Sequence, residues 1–469
     1  MNPQDLFDSA QFRHSGHALI DLLADHLEAN LQGRGKVLDW QAPAQAETAW
    51  RQPIPELPAL SPEGFLQALQ NEILPAGLAV HHPRNLGHQV AMPLPMAALC
   101  DLVAALTNQA MAVYETGPAA TLIERQVICW LAELAGWQHA EGLLTSGGAQ
   151  ANLTALLAAR QVKAGGDVWK HGVAQCKLLK ILASEHAHYS VSRAAGIMGL
   201  GTEAVIKVAA DHAGRMQVDA LAACHQRAIS TGAHVIAVVA TAGCTPTGSI
   251  DPLDAIGAYC NSHDLWLHVD GAHGASALLS SAHGSKLRGI ELADSVVWDG
   301  HKLLYMPATV SAVLFKNPQH SFAAFAQEAS YLFQGGNAAE EIYNTSYRTL
   351  ECTKRMMGLK LWAAFSLYGR QGLAQLVDAV FATAGLLADK LQAVPDFELL
   401  MPPQTNIVCF RHGTGDQSVL RKVLVESGAF HLTQVNLHGQ VWLRATVMNP
   451  FTTAQDLDAL LAQLRGTIL

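Results

Sequence analysis

The chain has 469 residues, of which 50% are hydrophobic and 15% are charged, and its formal net charge at pH 7 is -9. This length and composition are typical of a compact globular protein with two or three domains. The acidic balance, without any run of more than two Lys or Arg residues, argues against nucleic acid as a partner.

The cysteines and the N-terminus indicate the compartment. Eight Cys residues are scattered without a Cys-x-x-Cys pair, which is typical of reduced thiols and argues against a disulfide frame or a zinc site. The N-terminus is too polar and acidic for a signal peptide, and we expect no apolar run of membrane-spanning length. We therefore expect a cytoplasmic protein with neither a metal nor a membrane partner.

The first 80 residues predict two helices joined by a proline-rich arm. Residues 11–31 place apolar side chains at steps of three and four residues, and residues 61–80 predict a second helix. Five prolines from Pro43 to Pro62 argue against regular structure between them, so this arm is expected to run extended over another surface. A helix followed by such an arm favours a segment, residues 1–80, that embraces a second copy of the chain.

Residues 81–136 combine a polar loop with further helices. The loop HHPRNLGHQVAMPLP carries His88 and Gln89, and it is either an ordinary connection or the wall of a site. From residue 97 the pattern is helical, with a break at Gly117 and Pro118, where Thr116 is placed to cap the helix that follows.

The stretch TSGGAQANL, residues 145–153, is a small-residue turn that opens a helix. Gly147 and Gly148 leave backbone N–H groups accessible, and the helix from Ala149 to Arg160 adds the positive end of its dipole. Such a turn can bind phosphate, although a Gly-Gly pair before a helix is more often a simple turn. The spacing matches neither G-x-G-x-x-G nor a Walker loop, so dinucleotide and nucleoside triphosphate sites find no support.

From residue 178 onwards, predicted strands and helices alternate. Strands are predicted at residues 178–183, 204–208 and 235–240, and helices near residues 190–199, 216–231 and 252–263. This alternation predicts an α/β fold with a mostly parallel sheet covered by helices. The first strand leads to His186 and His188, and the third leads to Thr241, Gly243 and Thr245. A histidine in that position could stack on an aromatic cofactor, although it is more often structural.

Two further predicted strands end at a carboxylate, Asp270, and shortly before an amine, Lys302. Residues 265–269 lead to Asp270, and residues 295–298 lead to Asp299, His301 and Lys302. Because the carboxyl ends of parallel strands lie at one edge of a sheet, the Asp270 and Lys302 side chains can reach the same crevice. A lysine that can bind an aldehyde and a carboxylate that can hold a ring nitrogen protonated suggest a pyridoxal phosphate (PLP) site. Taken one at a time, the alternatives are a surface lysine and an Asp that caps a helix.

A predicted strand at residues 310–315 is followed by a stretch without clean periodicity. The part up to residue 349 mixes aromatic residues with Gly-Gly and two Glu, which fits a mobile loop near a site. Its tyrosines, Tyr331, Tyr343 and Tyr347, are either packing residues or proton donors.

The C-terminal third predicts a smaller domain. Residues 355–393 predict a long helix, and NIVCFR and VWLRATVMNP predict strands before a final helix, QDLDALLAQLRG. We therefore expect a large domain over residues 81–350 and a small α+β domain over residues 351–469.

These motifs resemble the group II PLP-dependent amino-acid decarboxylases, which include glutamate, aromatic-amino-acid, cysteine-sulfinate and diaminobutyrate decarboxylases. The resemblance extends from FRHSGHALIDLL to VWLRATVMNP and rests on HVDGAHG, ADSVVWDGHK, SEHAHYSVSRAAG, TSGGAQANL, ATAGCT and ASYLFQ. It implies the PLP-dependent transferase fold of type I, like that of aspartate aminotransferase. That fold has a mostly parallel central sheet with helices on both faces and a small C-terminal α+β domain. A homodimer and the PLP cofactor are implied as well.

The resemblance also implies roles for individual residues. The implied cofactor contacts are Gly148, Ala149, His188, Thr245, Asp270, Asp299, His301 and Lys302. Within this set, Lys302 would bind the PLP aldehyde, Asp270 would pair with the pyridine nitrogen, and His188 would stack on the ring. The implied catalytic residues are Lys302, His188 and, as proton donor to Cα, Tyr331. The implied substrate-binding residues are His88, Gln89 and Arg444.

Three positions depart from the family pattern. Gly300 stands where a proline usually precedes His301, so a looser turn is expected beside the lysine. Asp299 stands where some members have Asn near the phosphate, and its carboxylate would repel a dianion unless it is turned away or protonated. His88-Gln89 stands where the glutamate and cysteine-sulfinate decarboxylases have Asn-Gln, so their acidic substrates cannot be transferred directly.

Alternatives to a decarboxylase stay open at this point. Another enzyme of fold type I, an aminotransferase or a lyase, would share the lysine, the Asp and the phosphate turn. The YLFQ loop and the N-terminal helix with its arm favour a decarboxylase. A degenerate, non-enzymatic member is disfavoured because Asp270, His188 and Lys302 are all present. His88, Gln89 and Thr116 favour a small polar or acidic amino acid as substrate.

Overall fold

The computed structural model describes residues 2–325 and 341–466 of the chain. These residues form two compact units. The larger unit comprises residues 89–385 and 401–408, and the smaller unit comprises residues 1–88, 386–400 and 409–469. The three-part division expected from the sequence, with residues 1–80 embracing a second chain, stays a prediction.

The helices of the described residues range from single turns to 35 residues. They are α1 (Ser9–Leu31), α2 (Pro43–Trp50), α3 (Pro62–Ala68), α4 (Leu74–Ala76), α5 (Pro95–Thr107), α6 (Pro118–Leu134), α7 (Gly148–Lys163), α8 (Val168–His171), α9 (Ser190–Ile197), α10 (Val218–Ser230), α11 (Leu253–Ser262), α12 (His320–Ala323), α13 (Gly358–Gln392), α14 (Gln417–Glu426) and α15 (Ala454–Gly466). A π-helical turn, Leu69–Ile73, joins α3 to α4.

The strands of the described residues form two sheets. They are β1 (Asn85–Leu86), β2 (Glu141–Thr145), β3 (Leu179–Ser184), β4 (Val205–Val208), β5 (His234–Thr241), β6 (Trp266–Asp270), β7 (Ser295–Asp299), β8 (Ser311–Phe315), β9 (Phe397–Leu399), β10 (Ile407–His412), β11 (His431–Leu437) and β12 (Gln440–Thr446).

The larger sheet runs in the order β2-β8-β7-β6-β5-β3-β4. All neighbours from β7 to β4 are parallel, whereas β8 is antiparallel to both β2 and β7. Every residue of β5 after the first is buried. Because successive side chains of a strand point to opposite faces, both faces of this sheet are covered. The expected mostly parallel sheet with helices on both faces is therefore confirmed.

Helix α7 packs directly on the larger sheet. Its residues from Ala151 to Arg160 are all buried, and Ala151 and Ala155 belong to the same apolar cluster as Ile181 and Val239 of the strands. Alanine side chains let the helix backbone lie close to the strands, so the first turn of α7 is held firmly against the sheet.

The second sheet runs in the order β1-β11-β12-β10-β9. Strands β11 and β12 form a hairpin that turns at His438 and Gly439, whose φ angles are 53° and 74°. Two positive φ angles are what a two-residue type I′ turn requires, and glycine supplies one of them without strain. The register of this hairpin places Arg444 opposite Thr433. The sequence predicted β10 and β12 but not β11 or α14.

Two local expectations were wrong. Helix α2 occupies the first eight residues of the proline-rich arm. It begins with Pro43 at a position where the missing N–H loses no helical hydrogen bond. Thr116 does not cap α6, because its hydroxyl donates to the carbonyls of Ala110 and Val113 instead.

Helix α13 is long, apolar and kinked. At Gly369 the backbone has φ 64° and ψ 174°, which interrupts the helix in a conformation that favours glycine. By length and composition this helix could cross a membrane, contrary to the expectation that no apolar run is long enough. Leu373, Val377 and Val380 are fully or almost fully buried within the protein, and a core helix has the same composition.

Candidate active site

Four elements of the larger unit meet at one cavity of about 260 Å³. Strands β5, β6 and β7 end at Thr241, Asp270 and Asp299, and helix α7 begins at Gly148. All four residues line the cavity. The cavity therefore lies at the carboxyl edge of the parallel strands, where α/β proteins bind their ligands.

The structure brings all the predicted cofactor contacts together. The residues concerned, each of which lines the cavity, are Gly148, Ala149, His188, Thr245, Asp270, Asp299, His301 and Lys302. Asn152 and Thr241 line the same cavity, although neither was among the predicted contacts. The roles of these residues stay predictions, but their convergence is a property of the fold.

Lys302 and Asp299 form an ion pair at the cavity. The Nζ of Lys302 lies 3.1 Å from Oδ2 of Asp299, and the Asp299 side chain is 3% exposed. The other oxygen, Oδ1, accepts a hydrogen bond from the Ser311 hydroxyl. The Asp299 carboxylate thus has a cation and a donor beside it, which stabilise its charge in a buried position.

Glycine at the start of α7 allows that carboxylate to approach. A Cβ at Gly148 would lie 2.9 Å from Asp299 Oδ1, closer than real contacts allow. Asp299 is therefore directed toward the predicted phosphate turn. The alternative in which its carboxylate is turned away from the phosphate is wrong. Lys302 and the positive end of α7 offset its charge instead.

The donors around the cavity fit a phosphate group. The N–H groups of Gly148 and Ala149 lie in the first turn of α7, where a helix has no acceptors of its own for them. The Thr241 hydroxyl is buried and has no hydrogen-bond partner within residues 2–325 and 341–466. A buried donor of this kind is stabilised by a ligand that accepts from it.

Asp270 has acceptor capacity left for a ring nitrogen. Its Oδ2 accepts from Asn152 Nδ2 at 2.9 Å, and its Oδ1 accepts from the Ala272 N–H at 3.2 Å. An ionised carboxylate offers about four acceptor positions, so it can also accept from a protonated pyridine nitrogen. Together with the Lys302 amine and the donors of the α7 turn, this carboxylate makes a set of groups that fits PLP.

His188 presents a neutral imidazole to the cavity. Burial is the main cause that lowers its pKa below the ordinary value. Its Nδ1 accepts from the Ser190 N–H at 3.3 Å and lies 2.8 Å from the Ser190 hydroxyl. Nδ1 is therefore the acceptor nitrogen and Nε2 carries the proton. A flat, uncharged ring of this kind can stack on an aromatic cofactor.

Residues 66–413 match the pyridoxal-dependent decarboxylase conserved domain, which is most of the chain. The chain belongs to this family. The cysteine sulfinic acid decarboxylase of Mus musculus is 31% identical over 464 residues, which cover 93% of this chain and 92% of that protein. The L-2,4-diaminobutyrate decarboxylase of Rhizobium meliloti (strain 1021) is 34% identical, over 83% of this chain and 80% of that protein.

Solved structures give the same result for the fold of this decarboxylase. The crystal structure of mouse CSAD has a TM-score of 0.90 and 29% identity, and the match covers 97% of this chain and 98% of that chain. The structure of Oryza sativa TDC with PLP and tryptamine, at 20% identity and a TM-score of 0.89, shares the fold. Fold type I, the PLP cofactor and a PLP-dependent amino-acid decarboxylase activity are thereby confirmed.

The predicted substrate contacts divide between the two units of this decarboxylase. His88 and Arg444 belong to the smaller unit, and Gln89 is the first residue of the larger one. Arg444 is 5% exposed, and its Nη1 lies 3.3 Å from the Thr433 hydroxyl. The His88 ring lies 5.5 Å from that of His431. The predicted proton donor, Tyr331, lies outside the described residues.

The turn that carries Lys302 is tightly packed at Gly300. A Cβ there would lie 2.9 Å from Val310 Cγ1 and 3.3 Å from Leu361 Cδ2. The Gly300 N–H also donates to the Val310 carbonyl at 2.9 Å, which a proline could not do. The expectation of a looser turn in the absence of proline is therefore wrong.

Asn152, Ser190 and His268 are site residues that sequence reasoning did not single out. Asn152 lines the cavity and bonds to Asp270, while Ser190 and His268 each bond to Asn152. All three are at most 1% exposed. A polar residue within an apolar run, such as the His of LWLHVD or the Asn of AQANLTALL, is the signal that could have identified two of them.

Proposed function

We propose that this decarboxylase converts a small polar or acidic L-amino acid to the corresponding amine and CO2. The convergence of Lys302, Asp270 and His188 on one cavity supports the PLP chemistry. The names of the relatives support the substrate class, since they include cysteine sulfinic acid and acidic amino acid decarboxylases. A second candidate is 2,4-diaminobutyrate, which the 34% identical relative decarboxylates by name.

The chain's own residues have separable tasks in this proposal. PLP, when bound, supplies an electron-accepting ring for the electron pair that remains after CO2 leaves. The Lys302 amine would bind the PLP aldehyde, and Asp299 lies beside it as a counter-charge. Asp270 would accept a hydrogen bond from the ring nitrogen and stabilise its proton. His188 would cover the ring and exclude water, and Tyr331 would donate the proton to the substrate Cα.

A group of cations in the smaller unit supports binding of a carboxylate. Burial and then the positive charges of Arg444 and Arg421 lower the pKa of His88. Burial also lowers the pKa of His431 to about 4, so this neighbour is neutral at physiological pH. Arg444 can bind a carboxylate through two parallel hydrogen bonds, with neutral His88 as a further polar contact. In the larger unit, the buried Nε2 of Gln89 has no partner within the described residues.

Exposed apolar side chains support a homodimer. Leu99, Leu102, Val103 and Leu106 are between 38% and 68% exposed and lie on one face of α5. In the N-terminal segment, Phe7 is 87% exposed and Ile54 is 90% exposed. Exposed apolar side chains on one face of a helix usually mark an interface. A second copy of the chain is the occupant that fits an enzyme of this family.

The test measures CO2 and amine release by the purified, PLP-saturated protein. The panel contains Asp, Glu, cysteine sulfinate, 2,4-diaminobutyrate, Tyr and Trp, and Lys302→Ala is the inactive control. We expect one small polar or acidic amino acid to give both products. A change in the cofactor absorbance without CO2 release would refute the proposal and direct attention to keto-acid acceptors and lyase products.

A paired substitution tests the carboxylate contact. Arg444→Met is expected to raise the KM for the best substrate roughly tenfold or more, because it removes a hydrogen bond to a charged group. Arg411→Met on β10 is the control, since Arg411 packs over Trp442 instead. Equal KM values for the two variants would exclude Arg444 from substrate binding.

A further inference from the structure

A continuous line of hydrogen bonds reaches Asp270 from the interior of the larger unit. Trp266 Nε1 lies 2.9 Å from the Ser295 hydroxyl, and that hydroxyl lies 2.8 Å from His268 Nδ1. His268 Nε2 lies 2.9 Å from Asn152 Oδ1, and Asn152 Nδ2 lies 2.9 Å from Asp270 Oδ2. The first four residues are at most 1% exposed, so water does not compete for these bonds.

The donors and acceptors along the line fit a single direction of bonding. An indole N–H can only donate, so the Ser295 oxygen accepts from Trp266, and its own proton can be directed at His268 Nδ1. In that arrangement His268 carries its proton on Nε2 and donates to Asn152 Oδ1. The Asn152 amide is thereby oriented with its NH2 group, not its oxygen, toward Asp270. Burial lowers the pKa of His268 to about 4, which keeps this single neutral form.

The oriented amide serves two residues of the cavity at once. The second N–H of Asn152 donates to the Ser190 hydroxyl at 2.9 Å. Ser190 in turn contacts Nδ1 of His188 at 2.8 Å. Asn152 therefore bonds directly to Asp270, the carboxylate expected at the ring nitrogen. Through Ser190 it also positions His188, the imidazole expected on the ring face.

We propose that Asn152 and His268 are positioning residues that orient the Asp270 carboxylate, and so determine how firmly the protein holds the ring of its cofactor. The N–H aimed at Oδ2 fixes the position of the carboxylate through a directed hydrogen bond. An amide in the opposite orientation would present an oxygen and repel the carboxylate. This inference rests on the proposed role of Asp270 at the ring nitrogen.

The decisive comparison uses two tryptophan-serine pairs. Ser295 accepts from Trp266 at the start of the line, and Ser276 accepts from Trp298 at the same distance of 2.9 Å. Both serines are completely buried, but within the described residues Ser276 makes no hydrogen bond with His268 or Asn152. Ser295→Ala and Ser276→Ala therefore remove the same kind of hydrogen bond, and only the first releases the orientation of His268.

The experiment titrates PLP-free, full-length protein with PLP and records the dissociation constant and the circular dichroism band of the bound cofactor. Asn152→Ala and His268→Phe are expected to weaken PLP binding roughly tenfold, with a changed band. His268→Gln keeps an N–H donor near Nε2 and is expected to recover most of the affinity. Ser295→Ala is expected to weaken binding several-fold more than Ser276→Ala, while the two lower the unfolding temperature of the PLP-free protein to a similar extent.

The outcomes separate this inference from the proposed function. Equal PLP dissociation constants and bands for the two serine variants would overturn the inference, and that comparison remains available if Asn152→Ala does not fold. Failure of the unaltered protein to bind PLP would overturn the proposed function as well. Normal PLP binding by the unaltered protein and by every variant would overturn the positioning role alone.

Discussion

Replacement of Lys354 by methionine tests the support beneath the predicted phosphate turn. Lys354 and Glu124 form an ion pair whose side chains are 2% and 4% exposed. The Lys354 amine also donates to the Leu144 carbonyl at 2.9 Å, and Glu124 Oε1 accepts from the Leu144 N–H at 3.0 Å. Leu144 lies on β2, shortly before the turn at Gly148. The pair therefore binds both backbone polar groups of Leu144, the N–H and the carbonyl.

Lys354→Met is expected to reduce the free energy of unfolding by about 3–5 kcal/mol, because it leaves the buried Glu124 carboxylate without its cation. That loss is a large part of the roughly 5–15 kcal/mol typical of a folded protein. Urea unfolding of the PLP-free protein, followed by tryptophan fluorescence, measures it. The control is the double variant Glu124→Gln with Lys354→Met, which removes both charges of the pair and is expected to recover at least about 1 kcal/mol of the loss. A single variant within about 0.5 kcal/mol of the unaltered protein would refute the reasoning.

Three further predictions follow from particular contacts. Gly300→Ala is expected to cost about 1–3 kcal/mol of stability, because its Cβ would press on Val310. Gly385→Ala, where nothing lies within 4 Å, is expected to cost nothing, and urea unfolding compares the two. The folded pKa of His268, about 4, lies below the ordinary 6.5, so its contribution to stability is fully present above pH 6.5 and is lost as the pH falls through about 4. Between pH 7 and pH 5 the unaltered protein should therefore lose about 2 kcal/mol more stability than His268→Gln, and equal losses would contradict the assignment. Leu102→Asp is expected to convert the proposed homodimer to a monomer in sedimentation experiments, whereas Leu367→Asp, another exposed leucine, is expected to leave it intact.

The larger sheet could be predicted because its central parallel strands, β5, β6 and β7, are buried and mostly apolar and end in a polar residue. Val235 to Ala240 leads to Thr241, and Leu267 and Val269 flank the only polar side chain before Asp270 in that strand. A strand buried on both faces tolerates few polar side chains, so its end is visible in the sequence. The convergence of Asp270 and Lys302 then follows from the rule that parallel strands end at one edge.

The elements that were missed depend on contacts with distant parts of the chain. Strand β11 alternates apolar and polar residues only weakly, and it is held by pairing with β12 and by the turn at His438 and Gly439. Helix α2 begins at Pro43, the first of the five prolines, and ends before the second, Pro53. The proline content of the arm argues against a helix, but a proline at the first helical position is compatible with one. The tight packing at Gly300 depends on Val310 and Leu361. Val310, the closer of the two in sequence, is ten residues from Gly300.

The line from Trp266 to Asp270 shows why part of the site was invisible in the sequence. Asn152 and His268 are 116 residues apart, and each looks like a single polar residue in an apolar element. An isolated buried amide or imidazole would be costly, and the hydrogen bond between the two reduces that cost for both. The contact between Asn152 and His268 therefore depends on the register of β6 against β7 and on the packing of α7 on the sheet. The sequence shows two polar residues in unfavourable surroundings, and the fold turns them into one oriented group directed at Asp270.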